Sequence, residues 1–327
     1  MNSALLDQVD RVANPRGRRV AVVAALLIVA GIITYIQFSR LGGGTEAGLP
    51  PDAPPAGVDV FYIRAPGNPH GLVAYDWSGA RRGSLTLPTW VEIARLHPAP
   101  NGSGFFLNPA TPGDYAAYFD RGGRTLFESD DAGFVSQAWA HDSTHVCVLT
   151  DHGLLTRLPG QPDRSVPAPF YANYTVAACS LRTDVIVLAS SADSEVVRLS
   201  TGRTLRSLAT EGSTLASADA NYIAVSSNGA APVAVYKTSD FSTPAAQLDA
   251  SLQPLAFSGD DSLLLATDSA GEIRALAWRT GKIVWTYNTS GANLGLVLAR
   301  PSGGDFVIYL TSRTVLVRRD GKTTGYS

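Results

Sequence analysis

Histidines at short spacing are the first residues of this 327-residue chain that could carry chemistry. His141 and His145 lie four residues apart in "HDSTH", a spacing that on a helix would indicate a metal-binding pair. The segment instead reads as a turn before the strand "VCVLT", with His152 in the following turn. Five strand residues cover roughly 17 Å, so His152 falls at the opposite end of that strand. We predict no metal site; a surface site formed by His141 and His145 is the alternative to two solvated turn residues.

Cys147 and Cys179 are the only cysteines, too few for a disulfide scaffold or a thiolate metal site. They fall on predicted strands of neighbouring repeats, so a disulfide and two separate buried thiols are both open. The chain has no G-x-S-x-G elbow, no P-loop and no carboxylate pair within a local signature. We therefore predict no catalytic residue and no cofactor.

The elements that would position any site are short β-type runs separated by two recurring turns. One turn follows runs such as "AYDWSG" and "ALAWRTG" and steps along the chain by 37 to 44 residues. Its last residues are Gly79, Gly123, Gly160, Gly202, Asp240, Gly281 and Gly321. Glycine suits a hairpin position with positive φ, and aspartate tolerates that region better than most residues.

A second, polar turn repeats out of phase with the first, as in "AHDSTHVCVL", "CSLRTDVIVL" and "SGDDSLLLAT". Two interleaved turns at about 40 residues indicate four short strands per repeat, the signature of a propeller blade. We predict an all-β propeller, with seven four-stranded blades, over residues 58–327. Strands A to D run outward from the axis, and the first blade begins at strand B with "VDVFYIR". Six blades, or closure of the ring by the tail "KTTGYS", are the alternatives.

The pattern resembles bacterial extracytoplasmic propellers of the WD-repeat-like and quinoprotein-like (PQQ-type) repeat superfamily. "GEIRALAWRTGKIVWTY" is similar to one quinoprotein repeat, in which a tryptophan docks one blade on the next. Only Trp285 occupies that position, and the resemblance therefore implies a non-catalytic member in which Trp285 is a packing residue. The WD dipeptide and its upstream Gly-His are absent.

The N-terminal region predicts a membrane anchor. Residues 20–38 form an uncharged run of 19 residues, which as a helix spans roughly 28 Å, close to a bilayer's hydrocarbon core. The preceding arginines place residues 1–19 in the cytoplasm and the propeller outside it. Residues 39–57 are a Gly- and Pro-rich linker. The run reads as an uncleaved single-pass signal anchor, with a cleaved signal peptide as the alternative.

Charged residues sort by turn into two predicted faces, while a net charge of −2 gives no case for nucleic acid. An arginine excess over lysine (23 to 3) indicates a bacterial source. The basic face, expected to look towards anionic lipid, comprises Arg81, Arg82, Arg121, Arg124, Arg203, Arg279, Lys282 and Arg319. The acidic face, expected to bind a partner, comprises Glu128, Asp130, Asp131, Asp151, His152, Asp193, Glu211 and Asp268.

These patterns predict a protein- or ligand-binding scaffold or sensor, anchored in the cell membrane through residues 20–38 and exposed to the cell envelope. Its partner would be a protein or another envelope component. The alternative is a propeller enzyme, a lyase, hydrolase or quinoprotein-like oxidoreductase, with an axial site on the acidic face. Fold-level resemblance discriminates poorly between them, because propellers host many functions.

Overall fold

A computed structural model describes residues 52–93, 96–107, 116–129, 134–158, 161–168, 173–210, 212–227 and 231–326. The predicted membrane segment 20–38 and most of the linker lie outside the described residues. Within the described ranges, no helix has the length and apolar character needed to cross a membrane.

Seven antiparallel sheets follow one another along the chain, each built from consecutive strands. Blade 1 contains β1 (Val60–Arg64), β2 (Gly71–Asp76) and β3 (Arg81–Thr86), and blade 2 contains β4 (Leu96–Pro98), β5 (Gly104–Leu107), β6 (Ala116–Asp120) and β7 (Thr125–Ser129). Blade 3 contains β8 (Phe134–Trp139), β9 (Val146–Thr150), β10 (Gly153–Arg157) and β11 (Arg164–Pro167), and blade 4 contains β12 (Thr175–Ser180), β13 (Val185–Ala189), β14 (Asp193–Arg198) and β15 (Thr204–Ala209). Blade 5 contains β16 (Gly212–Ala216), β17 (Tyr222–Ser227), β18 (Val233–Lys237) and β19 (Ala246–Leu248). Blade 6 contains β20 (Gln253–Phe257), β21 (Leu264–Thr267), β22 (Glu272–Ala277) and β23 (Lys282–Asn288), and blade 7 contains β24 (Leu294–Ala299), β25 (Phe306–Leu310), β26 (Thr314–Val317) and β27 (Thr323–Tyr326).

The strand pattern confirms the predicted blades, except that blade 1 has three strands and not four among the described residues. Second strands such as β9 "VCVLT" are almost wholly buried, because a neighbouring blade covers each of their faces. The outermost β15 contains only exposed and half-buried residues, as a strand at the solvated edge of a sheet should. Blade 1 begins at a B-type strand, as predicted, and the tail forms β27, the outermost strand of blade 7.

Apolar clusters at all seven blade interfaces show that the ring closes. Each cluster draws its residues from two neighbouring blades, for example Leu107 and Phe119 with Val60 between blades 1 and 2. The cluster that joins blade 7 to blade 1 contains Phe61 and Val307. Trp285 is 7% exposed and contacts Phe306 of blade 7, which confirms its packing role.

Both turn series adopt repeated backbone geometries. In the first series Gly79, Gly123, Gly202, Gly281 and Gly321 all have positive φ, as predicted, while Gly160 lies outside the described residues. The expectation that Asp240 shares this conformation is wrong: its φ is not positive. Blade 5 has a longer connection between β18 and β19 than the other blades. An isolated β-bridge between Lys237 and Asp240 forms at the start of this connection.

The second series joins strands A and B. Its turn residues Gly102, Ser143, Asp184, Ala220 and Asp261 have φ between 55° and 71°. Each donates its backbone N–H to the carbonyl three residues earlier, for example Asp261 to Ser258. The polar residues of these turns are therefore held in nearly the same place in successive blades.

The last part of the predicted linker contacts the ring. The Ser84 N–H on β3 donates to the carbonyl of Asp52 at 2.6 Å. The guanidinium of Arg121, in the outer hairpin of blade 2, donates to the carbonyls of Pro55 and Val58. The chain thus reaches β1 along the outer edge of blade 1.

Candidate functional site

The antiparallel order of strands gives the ring two ends. The turns between strands A and B and between C and D lie together at one end, called here the A–B end. The turns between B and C, and the connections from D to the next blade, lie at the other, called the B–C end. The predicted acidic face corresponds to the B–C end and the predicted basic face to the A–B end.

Two kinds of carboxylate are present at the B–C end. Glu128 on β7 and Asp151 in the turn after β9 are exposed, and the His152 ring lies 3.5 Å from the Asp151 carboxylate. The His152 side chain is 90% exposed. Glu128 near the end of β7, and Asp151 and His152 in the turn after β9, are thus presented to solvent, where they can meet a binding partner.

Other acidic residues of this end stabilise the turns themselves. Asp268 accepts hydrogen bonds from the backbone N–H groups of Ala270 and Glu272, and its second oxygen pairs with Arg274 at 2.6 Å. Asp193 accepts a 2.6 Å bond from the Ser190 hydroxyl. Asp130, Asp131 and Glu211 lie outside the described residues.

Several basic residues of the A–B end are paired within their own hairpins. Arg82 lies 2.5 Å from the carboxylate of Asp76, and Arg124 lies 3.1 Å from that of Asp120. Burial opposes ionisation of Asp76, but hydrogen bonds from Ser78, Arg82 and the backbone outweigh it and lower its pKa to about 2. The positive charges of Arg82 and Arg124 are therefore partly offset by carboxylates of their own hairpins.

The remaining members of the predicted basic set differ in their surroundings. Arg319 pairs with Asp260 of the preceding blade at 2.9 Å, whereas Arg81, Arg203 and Lys282 are exposed. Arg81, Arg203 and Lys282 therefore present positive charge to solvent in three separate blades at the A–B end.

The aspartates of the A–B turns lie at the same end as the basic C–D turns, so this end is not the uniformly basic face predicted from the sequence. The carboxylate of Asp219 in blade 5 lies beside that of Asp261 in blade 6, and Arg182 of blade 4 pairs with Asp219 at 3.4 Å. Burial and the neighbouring Asp219 carboxylate raise the pKa of Asp261 to about 7. The repeated Asp in "SADAN" and "SGDDS" was the available sequence signal.

The histidines of "HDSTH" lie in the A–B turn of blade 3, and His152 lies in its B–C turn, as predicted. The His145 ring contacts the Asp142 carboxylate at 2.5 Å, so that this pair closes the turn. Among the described residues, no group of three or more His, Cys, Asp or Glu side chains could hold a metal ion.

Cys147 and Cys179 form a disulfide between β9 of blade 3 and β12 of blade 4, with 6.3 Å between their Cα atoms. Both residues are fully buried. Of the two alternatives that the sequence left open, the structure therefore shows the bonded one.

A cleft of about 390 Å³ lies between the outer turns of blades 5 and 6 at the A–B end. It is lined by Tyr222, Lys237, Asp240, Thr243, Pro244, Ala245, Trp278 and Arg279. A smaller cleft of about 200 Å³ lies between blades 3 and 4, with His145, Arg164 and Asp184 among its lining residues. The sequence did not indicate either cleft, because each joins turns from separate repeats.

No family model matches the chain, and no curated protein sequence matches it. Solved structures do match. The β-propeller domain of Cps50 (Swd1) from Myceliophteria thermophila is 12% identical, with a TM-score of 0.56 over 77% of this chain and 90% of that one. The C-terminal WD40 domain of Sif2 is 10% identical, with a TM-score of 0.53 over 76% of this chain and 74% of that one.

The fold is a WD40-like, seven-bladed β-propeller. Identities of 10–12% establish the fold alone, so function has to be argued from the residues of this chain.

Proposed function

We propose that this protein is a membrane-anchored scaffold or sensor of a bacterial cell envelope, which binds a protein or envelope component through the B–C end of its propeller. The observation that carries the proposal is the contrast between carboxylates at that end. Asp193 and Asp268 accept hydrogen bonds within their turns, whereas Glu128 on β7 and Asp151 in the turn after β9 are exposed. Exposed charges on a rigid frame suit recognition, because charge complementarity guides association and fixes register.

The buried disulfide supports an extracytoplasmic location. Structural disulfides form and persist in oxidising compartments and are rare in the cytosol. Cys147 and Cys179 lie in adjacent blades, 32 residues apart in sequence, and are closed off from solvent. The apolar run 20–38 and the arginines before it support the same placement, with the propeller outside the cytoplasm.

Partner binding is tested by capture from native membranes with tagged full-length protein. A Glu128→Lys, Asp151→Lys variant reverses two exposed charges and leaves the Asp268 turn intact. We expect the wild-type protein to retain a stoichiometric partner that this variant loses. An Arg81→Glu, Arg203→Glu variant, with the same number of reversals at the A–B end, should keep the partner. Failure of the wild-type protein to capture any partner would refute the scaffold proposal.

Anchoring is tested by alkaline extraction of membranes that contain full-length protein. We expect wild-type protein to resist extraction and Leu27→Arg, Ile33→Arg protein to be released, because charges at the centre of a spanning helix are costly. Gln37→Arg, at the end of the run, should remain anchored. Protease added outside intact spheroplasts should degrade the propeller. Protection of the propeller, or release of the wild-type protein, would contradict the proposed topology.

A further inference from the structure

The cleft between blades 5 and 6 has two cations, Lys237 and Arg279, and several aromatic and apolar side chains in its lining. Lys237 ends β18 and Arg279 follows β22, and both side chains are exposed. Trp278, which is only 1% exposed, and the half-buried Pro244 both line the cleft. At about 390 Å³ the cleft is near the lower end of ligand-site volumes, which suits a few side chains better than a large cofactor.

Arg279 is held in a fixed position. Its guanidinium carbon lies 4.2 Å from the centroid of the Trp278 ring, within the range of a cation–π contact. It donates one hydrogen bond to the Tyr222 hydroxyl at 3.2 Å and another to the Asp261 carbonyl at 3.0 Å. An ordered guanidinium loses less side-chain freedom when it binds a carboxylate, which favours affinity.

Positive charge is in excess at the cleft. Among the described residues of its lining, Lys237 and Arg279 stand against one carboxylate, Asp240, and the charge of Arg279 also acts on the Asp261 carboxylate nearby. Hydrogen bonds from Ser242, and then the charges of Arg206 and Lys237, lower the pKa of Asp240, so that it is ionised at neutral pH. A third cation, Arg206, thus lies close to the same carboxylate. The cleft is complementary to a ligand that carries negative charge.

We propose that this cleft binds an acidic segment of a partner protein, with a Glu or Asp carboxylate between Lys237 and Arg279 and an adjacent apolar side chain against Pro244. The inference rests on the proposed scaffold function and adds a second docking site, at the opposite end of the ring from Glu128 and Asp151. A carboxylate can accept from the ammonium and guanidinium groups together, and charge-assisted bonds of this kind are about twice as strong as neutral ones.

The probe is a fluorescein-labelled peptide, Gly-Ser-Glu-Leu-Glu-Pro-Glu-Gly-Ser, titrated with full-length protein and followed by fluorescence anisotropy. We expect saturable binding that weakens as salt is added, because exposed charges are screened. Lys237→Glu should weaken binding about tenfold or more, since it places like charges together. Lys282→Glu is the matched control: the same charge reversal on an exposed lysine of blade 6, outside the cleft, should change the affinity less than twofold. Thermal unfolding of both variants checks that the ring is intact.

The proposal is overturned if the peptide does not saturate, if a version with Lys in place of Glu binds equally well, or if both lysine variants have the same effect. Lys237-dependent binding of phosphatidylglycerol vesicles without peptide binding would also overturn it and assign the cleft to anionic lipid. The capture experiment tests the scaffold proposal independently of the peptide. Loss of a captured partner on reversal of Glu128 and Asp151 supports it whatever the peptide does, and capture of no partner refutes it even if the peptide binds.

Discussion

The hydroxyl group of Tyr309 in blade 7 donates a 2.8 Å hydrogen bond to the backbone carbonyl oxygen of Tyr62 in blade 1. Tyr62 in turn donates its own hydroxyl to the carbonyl of Gly102 in blade 2, also at 2.8 Å. The Val60 N–H donates to the carbonyl of Asn101 beside it. Among the described residues no fourth strand pairs with β1, so groups from the two neighbouring blades bond to the edge where that strand would run.

Tyr309→Phe removes the bond to blade 1 and leaves the Tyr62 carbonyl without this donor. We expect the free energy of unfolding to fall by about 1–2 kcal/mol, the usual effect of deleting one partner of a buried hydrogen bond. The measurement is the urea midpoint with an unchanged slope. Tyr236→Phe, whose ring packs against Phe241 within blade 5, should change stability far less. Equal losses of stability in the two variants would show that the hydrogen bond from Tyr309 to the Tyr62 carbonyl makes no particular contribution.

The Cys147–Cys179 bond should stabilise the propeller and resist reduction. Because the bond constrains a loop of about 32 residues in the unfolded chain, the chain-entropy model assigns it about 3–4 kcal/mol. Purified protein should yield no titratable thiol without denaturant, and two thiols only after denaturation together with a reductant. A Cys147→Ser, Cys179→Ser variant should unfold at a lower urea concentration. Two thiols released by denaturant alone would contradict the bonded state.

Two equivalent turn glycines separate backbone conformation from packing. Gly281 and Gly321 have φ of 70° and 85° at the same turn of blades 6 and 7. An added Cβ at Gly281 meets nothing within 4 Å, whereas at Gly321 it would lie 2.8 Å from the Cβ of Trp285. Gly281→Ala should cost about 1 kcal/mol for the left-handed conformation, and Gly321→Ala clearly more. Thermal melts of the two variants measure the difference in stability. Equal losses would show that Trp285 can move away from the added methyl group without a cost in stability.

The blades could be predicted from the sequence because turn chemistry recurs. Positive φ at Gly202 and the polar turn before β9 each need specific residue types, and those types repeat about every 40 residues. The wider turn at Asp240 was missed because aspartate tolerates both conformations. The local turns and strands of one repeat therefore follow from the residues of that repeat alone.

The surface between repeats could not be predicted in the same way. Arg279 meets Tyr222 across a blade interface, 57 residues apart, and no local pattern ties the two. The aspartates of the A–B turns were visible, but their pairing with Arg182 and Arg319 depends on the angle between neighbouring blades. Burial of the disulfide likewise depends on how blades 3 and 4 pack.

Asp261 gives the propeller a pH dependence whose sign follows from its surroundings. Burial and the adjacent Asp219 carboxylate raise the folded-state pKa of Asp261 to about 7, above its value in the unfolded chain. The folded protein therefore binds more protons between these two values, and this contribution to stability is complete below about pH 4 and is lost as the pH rises to about 7. Asp261→Asn should match the wild type at pH 4 and be more stable at pH 8, by about 1–2 kcal/mol after allowance for solvent screening.

Asp142→Asn should show the opposite pH dependence. Hydrogen bonds from the backbone N–H groups of His145 and Thr144 outweigh burial and lower the pKa of Asp142, so loss of this carboxylate should reduce stability more at pH 8 than at pH 4. Urea unfolding of the wild type and the two variants at pH 4, 6 and 8 measures both effects. If the stability of the wild type and of Asp261→Asn changes with pH in parallel, the pair of Asp219 and Asp261 carboxylates is not the source of the pH dependence.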